Sequence, residues 1–258
     1  VNTDLGLPWE EKGDTAEPML LLQRREYYEA EVPDSVIYLT AGVDTQDNRF
    51  EVEVVGWGIG KESWGIRYQK IYGDLKRGQI WADLDEFLAR GWRKKDGTVL
   101  YLLATCMDSG GHFPDEVLRF CKDRADRRIW PIKGRGGMDV PFTRNPTRNN
   151  RVGADLFIIG VDTGKNVVLS RLNILFKGPN YCHFPAAEDA GYNENYFKGL
   201  TAEHRVTRYK NGRAVEVWEL KDPAFKRNEP FDLRNYATAA LEISNPPGLE
   251  VPGEEVPK

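Results

Sequence analysis

The sequence predicts an α/β fold: a mixed sheet of three antiparallel strands followed by parallel strands, flanked by helices, with an added β-hairpin near the C-terminus. Three observations lead there. Positions 36 to 72 hold three runs rich in β-branched and aromatic residues, separated by short polar turns, as in an antiparallel meander. From position 79 onward, apolar runs alternate with segments whose apolar residues recur at helical spacing, as in strand–helix–strand units with parallel strands. Late in the chain, Lys210-Asn211-Gly212-Arg213 joins two strand-like runs with hairpin-turn chemistry.

Residues 1–35 mix Pro, Gly and charge around a short helical patch, Met19 to Glu29, and read as a linker that wraps the surface; the first residue, Val1, suggests a piece of a longer chain. Val36 to Asp44 is the first strand. Asp47-Asn48 supply turn chemistry, and Phe50 to Gly58 returns with apolar and acidic residues in alternation. Ser63 to Tyr72 completes the meander. Gln79 to Arg90 carries Ile80, Leu84, Phe87 and Leu88 at helical spacing before the stop at Gly91. Val99 to Asp108 is a near-continuous apolar run, as expected of a central strand covered on both faces. A helix from Pro114 to Lys122 follows, then a strand, Ile129 to Lys133, whose Pro131 favours a place near an edge or end. Gly134 to Arg151 reads as a long polar loop. Asp155 to Gly160 is a short strand, and a helix to about Leu175 is expected to be capped by Asp162 or Thr163. Tyr181 to Pro185 is strand-like, and Leu200 to Tyr209 with Ala214 to Glu219 form the hairpin. Asn228 to Ile243 is the last helix, rich in small residues that let it lie close on the sheet; residues 246–258, rich in Pro, Gly and acid, read as a flexible tail.

Composition narrows the function classes. The 258 residues are 40% hydrophobic and 29% charged, with a formal net charge of -4, so bulk charge does not advertise a polyanion partner. Its distribution does. Between Lys122 and Arg151 lie nine Lys or Arg against Asp123, Asp126 and Asp139, a local footprint for something anionic, or else a solvated loop. Three scattered cysteines, Cys106, Cys121 and Cys182, argue against a disulfide framework. No Cys or His has zinc-ligand spacing, and no apolar run approaches the length of a membrane span.

The order of elements is the connectivity of an RNase H-like sheet. Within it Asp44 and Asp108 end neighbouring strands at one edge, and Asp232, in the first turn of the last helix, falls beside them. Asp is also a common strand terminator, so Asp44 taken alone is equally explained by turn chemistry. Crowded carboxylates raise one another's pKa and cost stability unless a cation compensates. Hard oxygen ligands suit Mg²⁺ or Mn²⁺, and two such ions about 3.5–4 Å apart can hydrolyse a phosphodiester. The basic loop residues Lys133, Arg135, Arg144, Arg148 and Arg151 could then track a duplex backbone without reading its sequence.

The ordered set Leu39-Thr40-Ala41-Gly42-Val43-Asp44-Thr45-Gln46, Met107-Asp108-Ser109-Gly110-Gly111, Pro131-Ile132-Lys133-Gly134, Gly160-Val161-Asp162-Thr163-Gly164-Lys165 and Asn228-Glu229-Pro230-Phe231-Asp232 resembles the C-terminal nuclease domain of the large terminase subunit of tailed bacteriophages, the GpA-like group. Asn2 to Trp9 resembles the segment with which that family leaves its ATPase domain. The resemblance implies an RNase H-like endonuclease, residues 36–245, that cuts concatemeric double-stranded viral DNA in the cytoplasm of the infected host. It implies Asp44, Asp108 and Asp232 as ligands of two divalent metal ions, and a small terminase subunit and portal as partners. Glu51 matches an acidic position on the family's second strand, which makes it a second-tier metal ligand in that resemblance, though a solvent-facing strand glutamate would explain it as well. Lys165 matches a lysine kept after the short strand, either touching a phosphate or capping the local turn. No Walker A loop is present, so ATP hydrolysis is expected of a domain other than this one. Competing classes are an actin-like kinase, which lacks support because Thr45-Gln46-Asp47-Asn48-Arg49 contains no glycine; a non-catalytic DNA-contacting domain; and a transposase or resolvase sharing the acidic trio.

Overall fold

A computed structural model of the chain describes residues 15–149, 152–210 and 213–252. The expectations for Asn2 to Trp9, for Arg151, for the Asn211-Gly212 turn and for residues 253–258 lie outside the described residues. In chain order the elements are α1 (Pro18–Gln23), β1 (Tyr38–Thr45), β2 (Arg49–Trp57), β3 (Ser63–Tyr72), α2 (Gly78–Ala89), β4 (Trp92–Arg93), β5 (Val99–Leu100), β6 (Leu102–Asp108), α3 (Pro114–Lys122), β7 (Ile129–Arg135), β8 (Thr147–Arg148), β9 (Asp155–Gly160), α4 (Val161–Leu172), β10 (Cys182–His183), α5 (Glu194–Leu200), β11 (Glu203–Lys210), β12 (Arg213–Leu220) and α6 (Glu229–Ser244).

Eight strands form one mixed sheet in the order β10-β3-β2-β1-β6-β7-β9-β8, and β11–β12 stand apart as the hairpin. β1, β2 and β3 pair antiparallel, whereas β6, β7 and β9 continue from β1 in parallel. Strand alternation sorts the side chains of β1 between two cores. Ala41 and Val43, with Phe50, Val52 and Val54 of β2, pack against Leu84 of α2 and Val117 of α3. Thr40 and Gly42 face α6: the Thr40 hydroxyl donates to the Ala237 carbonyl at 2.7 Å, and a Cβ on Gly42 would stand 2.2 Å from the Leu233 carbonyl oxygen. Only a residue without a side chain lets the helix backbone come this close.

The acidic residues of β2 lie on that same helix-covered face. Glu51 stands opposite Asp44 and Glu53 opposite Gly42, and both are fully buried. The Glu53 carboxylate accepts from Arg234 of α6 at 2.5 Å, from Tyr196 at 2.6 Å and from Tyr192 at 3.1 Å. A buried ion pair of this kind costs much to desolvate, and breaking it by removing one partner costs more. It therefore locks the register of α6 on the sheet, two residues beyond Asp232.

Several local expectations are revised. The first helix stops at Gln23 because the chain turns to pair with residues 184–186, Glu26 N–H donating to the Phe184 carbonyl at 2.9 Å. Residues read as a surface linker contribute Leu21, Val32 and Ala16 to buried clusters. The run from Val99 breaks at exposed Tyr101, so Val99–Leu100 pairs with β4 and only Leu102–Asp108 is central. β7 lies inside the sheet, not at its edge; Pro131 is tolerated because the β9 ladder begins one residue later, at Ile132. Glu194–Leu200 is a helix absent from the sequence reading, capped by the Asn193 side chain, which accepts from Tyr196 N–H at 3.1 Å. Leu249, placed in the flexible tail, is buried against Trp57 and Leu241. Among the described residues no helix is long and apolar enough to cross a membrane.

Candidate functional site

The parallel pairing of β1 with β6 matches Val43 to Met107, so Asp44 and Asp108, one residue further along, leave the sheet side by side at the same rim. Carboxyl ends of parallel strands are where open α/β sheets place their binding crevices. The Thr45 hydroxyl donates to the Asp108 carbonyl at 3.2 Å and ties the two strand ends together. α6, seated on Gly42, brings Asp232 over this rim from its first turn. Tyr236, one turn on, is buried where its phenol is pushed up first by burial and then by the charges of Asp232, Asp108 and Asp44. A single side chain thus senses all three acids.

The acids also sense one another. Burial raises the Asp44 carboxyl to about 7, and the charges of Asp232 and Asp108 push the same way against a hydrogen bond from Gln46. Asp232 is raised to about 6, again chiefly by burial; Lys165 opposes the rise, while Glu203 and Asp108 add to it. Burial lifts Asp108 too, restrained by the Gly110 and Ser109 N–H groups and by Lys133.

Each carboxylate has a local partner: Gln46 for Asp44, Gly110 N–H at 3.1 Å for Asp108, and Lys165 at 3.3 Å with Asn228 at 3.1 Å for Asp232. Among the described residues no three His, Cys, Asp or Glu side chains are drawn tightly enough to grip one ion. Like charges that repel turn toward whatever donors are near. The donor set, carboxylate oxygens crowded at one rim where their charges oppose one another, fits a hard divalent cation and no soft one.

The remaining sequence candidates separate into distinct environments. Glu51 shares the face of Asp44 but is buried and held by Arg49 at 2.6 Å, by the Tyr68 hydroxyl and by Lys70 at 3.4 Å, so it is neither solvent-facing nor free. Arg49 reaches on to Glu229 of α6 at 3.2 Å, cross-linking β2 to the helix turn that carries Asp232. Lys165 is not on the basic surface and caps no turn: it is buried, its ammonium 2.7 Å from Glu203 and 3.3 Å from Asp232. Asp162 and Thr163 do not cap α4 either. Asp162 accepts from Gly137 N–H at 2.7 Å and Thr163 donates to the Val140 carbonyl at 2.6 Å, so both pin the preceding loop to the helix.

Lys133 and Arg135 are exposed and leave β7 at the rim of Asp108, whose register partner is Ile132. Arg144 and Arg148 are exposed as well, but Arg148 lies on the outermost strand, β8, in register with Asp155 at the start of β9, the end of that strand opposite to the rim. The basic segment is therefore two groups rather than one continuous track. Glu203 and Arg49 could not be tied to the acids from sequence because nothing in their spacing links them; Asn228 and Glu229, four and three residues before Asp232 and so on the same helical face, carried a legible signal.

Residues 1–250 match the family model for the endonuclease domain of the terminase large subunit gpA. The chain is 36% identical over 249 residues to the terminase large subunit of Escherichia phage lambda and 31% identical over 250 residues to that of Enterobacteria phage P21. Each alignment covers 95% of this chain and 38% of the relative, so the chain spans well under half the length of the proteins it matches. Its fold is similar to a mutant nuclease domain of the large terminase subunit gp2 of bacterial virus Sf6, solved with manganese, at a TM-score of 0.50 and 13% identity, over 89% of this chain and 97% of that one. With the family model spanning nearly its whole length, this chain belongs to the terminase large subunit gpA endonuclease-domain family.

Proposed function

We propose that this domain cuts double-stranded DNA by metal-dependent phosphodiester hydrolysis, with Asp44, Asp108 and Asp232 holding two divalent ions, Mg²⁺ or Mn²⁺. The observation that carries this reading is the meeting of Asp44 and Asp108 at adjacent parallel strand ends beneath the first turn of α6. Bound there, the ions would supply an activated water and charge stabilisation for the leaving oxygen. The chain's own groups would hold and orient. Gln46, the Gly110 N–H and Asn228 fix the carboxylates, Thr45 keeps the strand ends in register, and Lys133 and Arg135 offer cations to phosphates beside Asp108. Contacts of that kind position a duplex without selecting a sequence. The manganese in the related Sf6 domain supports the choice of ion.

In this reading the substrate is concatemeric viral DNA in the cytoplasm of the infected bacterium, cut at the start and end of packaging. The ATPase domain of the full-length subunit, the small terminase subunit and the portal are the partners. The test is supercoiled plasmid incubated with the purified chain in Mn²⁺, Mg²⁺ or chelator, beside Asp44→Asn and Asp108→Asn. Nicking and linearisation are expected only with metal and only in the wild type. Cleavage that persists in chelator, or in either variant, would defeat the mechanism; duplex binding without cutting under every condition would leave a packaging contact domain.

A further inference from the structure

Lys165 bridges two carboxylates from different elements. Its ammonium lies 2.7 and 2.8 Å from the two oxygens of Glu203, the first residue of β11, and 3.3 Å from Oδ1 of Asp232. Lys165 and Glu203 are each 8% exposed. Asn228 closes the unit, donating to Glu203 at 2.6 Å and to Asp232 at 3.1 Å. Where water is scarce, the distance from a cation to each neighbouring carboxylate decides which charge it cancels. Lys165 is thus shared between two carboxylates, held by both oxygens of Glu203 at the shorter distance and by one oxygen of Asp232 at the longer. Were Glu203 uncharged, the same buried ammonium would have Asp232 as its sole carboxylate partner and would compete more strongly with any metal ion there.

We propose that Glu203, at the root of the hairpin, is a positioning residue for the metal site: by gripping Lys165 with both oxygens it keeps that ammonium from closing fully on Asp232, and so leaves Asp232 available to a divalent cation. This rests on the reading of Asp232 as a metal ligand. Glu203 itself touches no reacting atom. Its influence passes through Lys165, so its loss is repaired by removing the lysine, an effect that simple packing damage would not produce.

The experiment is calorimetric titration of Mn²⁺ into the whole chain as wild type, Glu203→Gln, Lys165→Met, the double variant Glu203→Gln/Lys165→Met, and Asp232→Asn, with circular dichroism of each. Glu203→Gln is expected to weaken Mn²⁺ binding by ~10-fold or more, within the range found for residues that orient metal ligands. The double variant is expected to return close to wild-type affinity, and Lys165→Met to bind at least as tightly as wild type. Unchanged binding in Glu203→Gln, or a double variant as weak as Glu203→Gln, would overturn the proposal. Equal binding by wild type and Asp232→Asn would instead overturn Asp232 as a ligand, a failure visible without touching Glu203.

Discussion

Asp44 stands where burial and like charge act in the same direction on one carboxyl. Its folded value of about 7 lies above the ordinary 3.8, so between those limits the folded chain binds a proton that the unfolded chain releases. Stability therefore falls as pH rises through that window, and Asp232, raised to about 6, adds to the same slope. The expected outcome is that Asp44→Asn melts above wild type at pH 8 in chelator, and that the gap closes below about pH 4, where both side chains are neutral. Thermal unfolding across the pH range reads this directly; a gap independent of pH would show that Asp44 is not electrostatically strained. At this scale the sequence was informative about which acids end strands and silent about their counterions. Glu51 and Glu53 fit the pattern of outward acids on an alternating strand, yet α5 and α6 cover that face and Tyr68, Arg49 and Arg234 receive them. Alternation says which residues share a face; it cannot say whether another element covers it.

The placement of α6 is decided by a steric gap and a buried charge. Gly42 admits the Leu233 carbonyl into the space a Cβ would fill, and Arg234 finds Glu53 beneath it. Gly42→Ala would push the helix from β1 and carry Asp232 away from Asp44. Overpacking of this kind is expected to destabilise the chain by about 1–3 kcal/mol, measured by urea unfolding, with plasmid cleavage lost beyond what the stability change explains. Retained cleavage in a folded Gly42→Ala chain would show that the close approach is not what brings the acids together. The strands and long helices were legible because periodicity and turn chemistry are local. The hairpin strands were found for the same reason, but α5 was missed: only Asn193 marks its start, and the helix is too short for its apolar spacing to declare a period. The boundary of α1 and the split at Tyr101 were set by pairing partners far along the chain.

Across the whole molecule, a net charge of -4 coexists with a basic flank beginning at the rim that carries Asp108. Duplex binding by the proposed nuclease should weaken steeply with salt, because each neutralised phosphate releases counterion. Lys133→Ala and Arg135→Ala are each expected to lower the slope of log affinity against log salt by about 0.9, measured by fluorescence anisotropy on a short duplex in chelator. An affinity indifferent to ionic strength would remove the rim residues from the DNA path. Arg148, on the outer strand, tests how far that path extends: an unchanged slope in Arg148→Ala would end it at β7.

The sequence by itself determined the order of the longer strands and helices, the three aspartates at their ends and the family, since all of these rest on residues close together in the chain or on their order along it. Tertiary structure alone decided the partners of the charges. Lys165 meets Glu203 and Asp232 across 38 and 67 residues, and Glu53 meets Arg234 across 181. Contacts at such separations exist only after the sheet has closed and α6 has settled on Gly42, because a charged side chain responds to the nearest opposite charge in space and carries no trace of that partner in its own neighbourhood of sequence.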